Sequence, residues 1–116
     1  DYYWNRYFLI ENRQPVGFDA DINGSGLMIY HIDENRGWGS NGWSFGSVND
    51  DESNKMVDLE AADGLTHLDD EINRGDNGDP FPGTTDNRTF NNLSTPSSNR
   101  NDGTETDISI FNGDSP

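Results

Sequence analysis

The chain has 116 residues, a length typical of one domain, yet only 29% of them are apolar and 25% are charged, so its core must be small. Its 22 acidic residues against 7 basic ones give a formal charge of −15 at pH 7, which argues against a nucleic-acid-binding protein. The absence of cysteine excludes disulfides and thiolate metal sites, and the apolar runs are too short to cross a membrane.

The first predicted element is a strand over residues 1–14, DYYWNRYFLIENRQ. Large apolar or aromatic side chains fall on both of its faces when the residues are taken alternately. Such a pattern is typical of a central core strand with aromatic cross-strand pairs, or of a strand with one face covered by a partner. Because the pattern starts at the first residue, we expect the chain to derive from a larger precursor.

The stretch Gly17–Glu34 joins a carboxylate-rich turn to the strongest strand signal in the sequence. Asp19, Asp21 and Asn23 alternate before a glycine, which is how a short loop directs several oxygens toward one hard cation. Ca²⁺ is the ion that we predict there. The loop is not a complete EF-hand, because the twelfth position counted from Asp19 is Tyr30 instead of a bidentate glutamate. Later segments would therefore have to complete the coordination shell.

The strand that follows this loop is predicted over residues 27–32, LMIYHI. It is apolar and β-prone on both faces, which indicates burial on two sides. Within it, His31 is expected to be a hydrogen-bonded core histidine and not a catalytic group. Residues 33–54 show no period of either kind and are predicted to form a long loop.

The segment 55–64 alternates apolar and acidic residues, which predicts a short strand running into a turn at a glycine. Residues 65–73 carry apolar side chains on one helical face and would support one or two helical turns. The acidic residues of these two segments are weaker candidates for calcium ligands: Asp58, Asp63, Asp69 and Asp70.

A second acidic turn, DNGDPFPG, spans residues 76–83. Asp76 and Asp79 would supply a second set of calcium ligands, although Asp, Asn and Gly also populate surface turns without any metal. Residues 84–103 are predicted to be polar coil, and residues 107–111 form the last predicted strand.

These elements predict one domain over residues 1–116, mostly β with long ordered loops. We expect a small antiparallel or mixed sheet and at most one short helix. Because the core is small and the charge of −15 is self-repelling, bound calcium is the favoured source of additional stability. The alternative on composition alone is a solvated, partly disordered acidic segment.

Five sequence blocks keep one order along the chain: YFLIENRQ (7–14), GFDA (17–20), GSGLMIYHIDE (24–34), VDLEAADG (57–64) and GDNGDPFPG (75–83). In sequence and order they resemble secreted metallopeptidases of the immune inhibitor A family. The resemblance covers residues 1–83, whereas residues 84–116 match only loosely. It implies secretion, dependence on calcium, and a position downstream of the zinc-binding helix of such enzymes.

The zinc-binding helix itself is missing from this chain. Its motif needs two histidines one helical turn apart with a glutamate between them, and neither His31 nor His67 lies in such a context. We therefore expect no peptidase activity from this chain alone, and zinc only in a parent enzyme.

Three functions remain open from the sequence. The first is a calcium-binding, non-catalytic portion of a secreted metallopeptidase-like protein, with calcium as its partner and no role in nucleic-acid or membrane binding. The second is an extracellular structural protein whose copies assemble through calcium and through pairing of the strand at residues 2–10. The third is one module of an active peptidase whose zinc helix lies on a separate segment.

Overall fold

The computed structural model describes residues 6–14, 16–17, 24–34, 55–66, 70–72 and 75–111. These residues form five strands in chain order: β1 (Arg6–Arg13), β2 (Gly26–Asp33), β3 (Val57–Leu59), β4 (Thr89–Phe90) and β5 (Ile110–Phe111). One antiparallel sheet has the strand order β1-β2-β3, and a second pairs β4 with β5. The predicted mostly-β class with a small antiparallel sheet and almost no helix is confirmed.

The β1–β2 pair is the longest ladder in the described part of the chain. Arg6 pairs with Asp33 at one end and Arg13 with Gly26 at the other, and every intervening residue has one partner. The ladder therefore has no bulge. Because side chains alternate across a strand, Phe8 and Ile10 lie on the same face of the sheet as Ile29.

The core lies against this face of β2. Ile29, Ala62, Phe81 and Phe90 form one buried cluster. The ring of Phe90 meets that of Phe8 at 5.2 Å and that of Phe81 at 6.0 Å, both in edge-to-face geometry. Phe90 thus joins the two sheets, since it belongs to β4 while Phe8 belongs to β1.

The start of β2 is held by a chain segment beyond the sheet. Leu27 and Phe81 exchange both main-chain bonds, with N–H to O distances of 2.9 and 2.8 Å. Gly26, just before this bridge, has φ +129°, and a Cβ there would overlap the carbonyl oxygen of Phe81. Glycine is required at this position because the two backbones approach so closely.

Residues 87–106 are ordered mainly by side chains that bond the main chain. Asn91 Oδ1 accepts bonds from the N–H groups of Leu93 (2.8 Å) and Ser94 (2.9 Å). The fully buried Ser98 donates its hydroxyl to the carbonyl of Ile108 at 2.8 Å. Asn, Ser and Thr favour such local bonds, so this stretch needs little regular structure to be ordered.

Three sequence predictions need comment. The strand predicted at residues 27–32 is confirmed as β2, with Met28, Ile29 and Ile32 all buried. The prediction of coil over residues 84–103 is wrong at Thr89–Phe90, which pairs with β5 because Phe90 completes the core. The first strand is observed from Arg6 onward, and its predicted start at residues 1–5 lies outside the described residues.

Within the described residues, no helix is long and apolar enough to cross a membrane. The helical turns predicted over residues 65–73 fall partly outside the described residues. What is described there is turn structure, with the Asp70 N–H donating to the Thr66 carbonyl at 2.9 Å.

Candidate metal site

Three carboxylates from two distant segments converge beside the core. One oxygen each from Asp63, Asp76 and Asp79 lies within 4.8 Å of the others. Oxygens bound to a common Ca²⁺ at about 2.3–2.6 Å are separated by at most roughly 5.2 Å, so this spread fits a shared calcium ion. Carboxylates are hard ligands, which suits Ca²⁺ better than a soft transition metal.

Main-chain pairing brings the two segments together. The Ala62 N–H donates to the carbonyl of Asp79 at 2.9 Å, and the Asp63 N–H donates to the carbonyl of Gly78 at 3.0 Å. These two main-chain bonds form a short clamp between the segments. Because Ala62 lies in the core cluster, the clamp is attached directly to the buried part of the protein. The positions of the three carboxylates are therefore fixed by the fold and not by a mobile surface loop.

Each carboxylate is also oriented by a backbone N–H group. Asp63 Oδ1 accepts a bond from Leu65 at 2.9 Å, and Asp76 Oδ1 accepts one from Gly78 at 2.7 Å. Asp79 Oδ2 accepts a bond from the N–H of Asp76 at 2.8 Å. These bonds are local turn interactions, which fix the orientation of each side chain.

Burial and close packing limit how the cluster can relax. Asp79 is only 5% exposed, whereas Asp63 and Asp76 are half-buried. A Cβ at Gly78 would overlap Asp63 Oδ2 and would lie 3.0 Å from Asp76 Oδ1. The absence of a side chain at Gly78 therefore makes room for the carboxylates to approach one another.

Bringing three carboxylates this close has an electrostatic cost in a chain of net charge −15. Like charges at such separations repel, and partial burial strengthens the repulsion because it lowers the effective dielectric. A divalent cation at their centre would replace repulsion with attraction. The arrangement can therefore hold a cation.

The structure brings together only some of the predicted ligands. Asp76 and Asp79, predicted as one set, meet Asp63, which the sequence ranked lower. Asp58 lies elsewhere, 3.7 Å from the Lys55 ammonium, and Asp70 is exposed and accepts a bond from Thr66. The remaining predicted ligands lie outside the described residues: Asp19, Asp21, Asn23 and Asp69.

A second group of charged side chains lies at the far end of β2. Asp33 is 4% exposed and its carboxylate is 3.3 Å from the Arg6 guanidinium. His31 is also buried, as predicted for a core histidine, and packs against Phe8 at 5.2 Å between ring centroids. Burial lowers the pKa of His31, which favours its neutral form. These contacts are those of a structural ion pair and a packed imidazole.

Glu60 is a described carboxyl whose pKa is strongly raised in the folded protein. Its N–H group donates to the carbonyl of Ile29, which extends the β2–β3 pairing by one residue. Burial, together with the nearby charge of Asp58, raises the pKa of Glu60 to about 8. Glu60 is therefore largely protonated in the folded protein at neutral pH.

Comparison of the chain with protein-family models, with curated proteins and with solved structures yields no match. The resemblance of the five blocks to immune inhibitor A-type metallopeptidases therefore stays a prediction from the sequence.

Proposed function

We propose that this chain is a calcium-binding, non-catalytic portion of a secreted metallopeptidase-like protein. The observation that carries the calcium part is the convergence of Asp63, Asp76 and Asp79 within 4.8 Å. Relation to a secreted metallopeptidase rests on the five ordered sequence blocks. Two of those blocks, residues 57–64 and 75–83, supply all three of these carboxylates.

The bound cation would stabilise the fold of a chain whose core is small. It would hold the turn after β3 against the turn before Phe81, in a chain that has no disulfide to do so. Because the site exists only when these turns are paired, binding free energy would become folding free energy. At a calcium concentration 100-fold above the dissociation constant, the stabilisation would be about 2.7 kcal/mol.

Three carboxylates give a modest number of charged ligands, so we expect the affinity of an extracellular module, with a Kd of roughly 10⁻⁴–10⁻³ M. Main-chain carbonyls, side-chain amides and water would complete the shell of six to eight oxygens that Ca²⁺ takes in proteins.

Calorimetric titration with Ca²⁺ and thermal melting with and without a chelator test this proposal. We expect one or more binding events and a calcium-dependent rise in Tm of roughly 10 °C for a chain of this size. No binding heat, together with an unchanged Tm in chelator, would contradict it.

Isosteric variants locate the site. Asp63→Asn and Asp76→Asn keep the oxygen that accepts the turn bond but remove a ligand charge, so each should weaken binding at least tenfold, by roughly the 1.4 kcal/mol that a tenfold change represents. Asp102→Asn is the matched control, since this exposed carboxyl is occupied by Thr104 in a separate turn. Equal loss in all three variants would show a general charge effect and no defined site.

Gly78→Ala tests the geometry of the same site without changing charge. The added methyl group would displace the Asp63 carboxylate, so calcium binding should weaken while the calcium-free fold is kept. Normal affinity in this variant would mean that Asp63 is not a ligand.

The non-catalytic part of the proposal has its own assay. The chain alone, incubated with a general peptide substrate and added Zn²⁺, should show no cleavage above background. Cleavage would favour the remaining possibility of an active peptidase module.

A further inference from the structure

The outer edge of β1 offers main-chain groups for another strand. Within the described part of the chain, β1 is the first strand of the sheet order β1-β2-β3, and no strand pairs with its outer edge between Tyr7 and Asn12. An unpaired edge of this length is a template for strand addition.

The direction of the groups on β1 follows from the bonds of β2. Leu27, Ile29 and Asp33 use their main-chain groups on the side away from β1, in bonds of 2.8–2.9 Å to Phe81, Glu60 and Met56. Alternation along an antiparallel ladder then assigns Met28, Tyr30 and Ile32 to bonds with β1. The consequence for β1 is that three residues direct N–H and C=O groups outward: Phe8, Ile10 and Asn12.

Within the described part of the chain, this edge lacks three of the features that commonly protect an edge strand: a bulge, a proline and a lysine. The β1–β2 register is continuous from Arg6 to Arg13, so no bulge twists the edge away, and β1 contains neither proline nor lysine. Its centre is the uncharged run Tyr7–Ile10.

Exposed apolar side chains lie on both sides of the same edge. Leu9 is 51% exposed on one face of the sheet, and Ile10 is 52% exposed on the other. A strand added at the edge would cover apolar surface on both faces at once and would satisfy the outward main-chain groups.

We infer that the outer edge of β1 binds β1 of a second copy of this chain, antiparallel and centred on Leu9. This pairing is independent of calcium binding. In it, Leu9 lies opposite Leu9 of the second copy, and Phe8 lies opposite Ile10 in two symmetric main-chain-bonded pairs. Tyr7 lies opposite Glu11, and Arg6 opposite Asn12, so no like charges face one another.

The two neighbouring two-fold registers are less favourable. Centring the pair on Ile10 would place Leu9 opposite Glu11, and centring it on Phe8 would place Ile10 opposite Arg6. Each of these registers sets an exposed apolar side chain against a charge. The register centred on Leu9 avoids both arrangements and pairs the run from Tyr7 to Glu11.

Charge also favours this edge as the place where two copies meet. β1 contains two arginines and one glutamate, a net charge of +1, whereas the whole chain carries −15. Two copies that approach through β1 therefore meet at a segment that does not share the negative charge of the whole chain. At physiological ionic strength the remaining long-range repulsion is screened over about 8 Å.

Charge substitutions at the two-fold centre test the pairing and its register by sedimentation velocity. The wild-type chain should dimerise as concentration rises, both in Ca²⁺ and in chelator. Leu9→Lys and Leu9→Glu should each weaken dimerisation by roughly tenfold or more, because like charges would meet at the centre. An equimolar mixture of the two variants should restore it as a heterodimer.

Leu65 provides the matched control, since it is 51% exposed like Leu9 but lies outside β1. Leu65→Lys should dimerise as the wild type does, and circular dichroism should show that all variants keep the fold. A wild-type chain that stays monomeric, or Leu9 variants that dimerise normally, would overturn the inference. Loss in both single variants without recovery in the mixture would overturn the register.

Disulfide trapping gives a second measurement that needs no stable dimer. The chain has no cysteine, so Leu9→Cys would introduce its only thiol. Directly opposed residues in a non-bonded antiparallel pair have Cα atoms about 4.5 Å apart, within the range that a disulfide spans. In a glutathione redox buffer, Leu9→Cys should form covalent dimers and Leu65→Cys should not. Equal trapping of the two variants would contradict the inference.

Discussion

The β1–β3 sheet and the turn region at residues 87–106 are ordered by different means. In the sheet, main-chain ladders align apolar side chains, and Ile29 of β2 lies at the centre of the core. In the turn region, side chains of Asn, Ser and Thr bond the main chain directly, as Asn91 and Ser98 do. A chain with only 29% apolar residues can thus order a long polar segment without enlarging its core. The two regions meet at Phe90.

The largest expected effect on stability comes from removing the Phe90 side chain, where the two regions meet. Phe90 is fully buried and contacts the rings of both Phe8 and Phe81, so Phe90→Ala would leave a cavity between the two regions. We expect a loss of about 3–5 kcal/mol in the free energy of unfolding, measured by urea denaturation with Ca²⁺ present. Loss of under 1 kcal/mol would mean that the two regions fold independently.

Glu60 tests the region of the β1–β3 sheet through the pH dependence of the free energy of unfolding. Its pKa of about 8 in the folded state exceeds the ordinary value of 4.5, so the folded chain binds more protons than the unfolded chain between these values. The contribution of Glu60 is fully present below pH 4.5 and is lost as pH rises toward 8. Glu60→Gln should therefore be more stable than the wild type at pH 9, by up to roughly 5 kcal/mol, and equal to it near pH 4.

Urea denaturation of both proteins across this pH range checks that sign, with the exposed Glu105→Gln as control. A wild-type chain that gained stability relative to Glu60→Gln at high pH would show that folding lowers the pKa of Glu60 and does not raise it.

A substitution at Asn87 tests what orders the turn region. The side-chain amide of Asn87 donates to the carbonyls of Ala62 (2.8 Å) and Thr95 (3.2 Å). Asn87→Ala removes both bonds and should cost about 1–2 kcal/mol in thermal or urea unfolding. Asn87→Asp is the informative companion, because it keeps the shape of the side chain but replaces the donor with an acceptor. Full stability of Asn87→Asp would show that these bonds do not order the turn region.

The smallest effect is expected at Leu93, which is 87% exposed although it is one of the few apolar residues of the turn region. Leu93→Ser should change the unfolding free energy by under about 0.5 kcal/mol, since no apolar area is lost from the core. A larger loss would indicate that Leu93 is covered in solution.

Much of the sheet was predictable from local pattern. LMIYHI is apolar on both faces, and such a run has few alternatives to a buried strand, whereas β4 has only two residues and too short a pattern to recognise. The site was predictable only in part. Asp76 and Asp79 stand close together in the sequence, but their meeting with Asp63 depends on non-local pairing of Asp63 with Gly78, which no sequence period encodes.

The attachment of the acidic cluster to the core affects how this part of the protein unfolds locally. Asp63 directly follows the buried Ala62, and Asp79 precedes the buried Phe81 by two residues, so the clamp and the core share the same short segments. Separating the two turns would also pull Ala62 and Phe81 out of the cluster. We therefore expect the carboxylates and the core to open as one cooperative unit, so that the amide hydrogens of Ala62 and Asp63 exchange with solvent only when that unit opens.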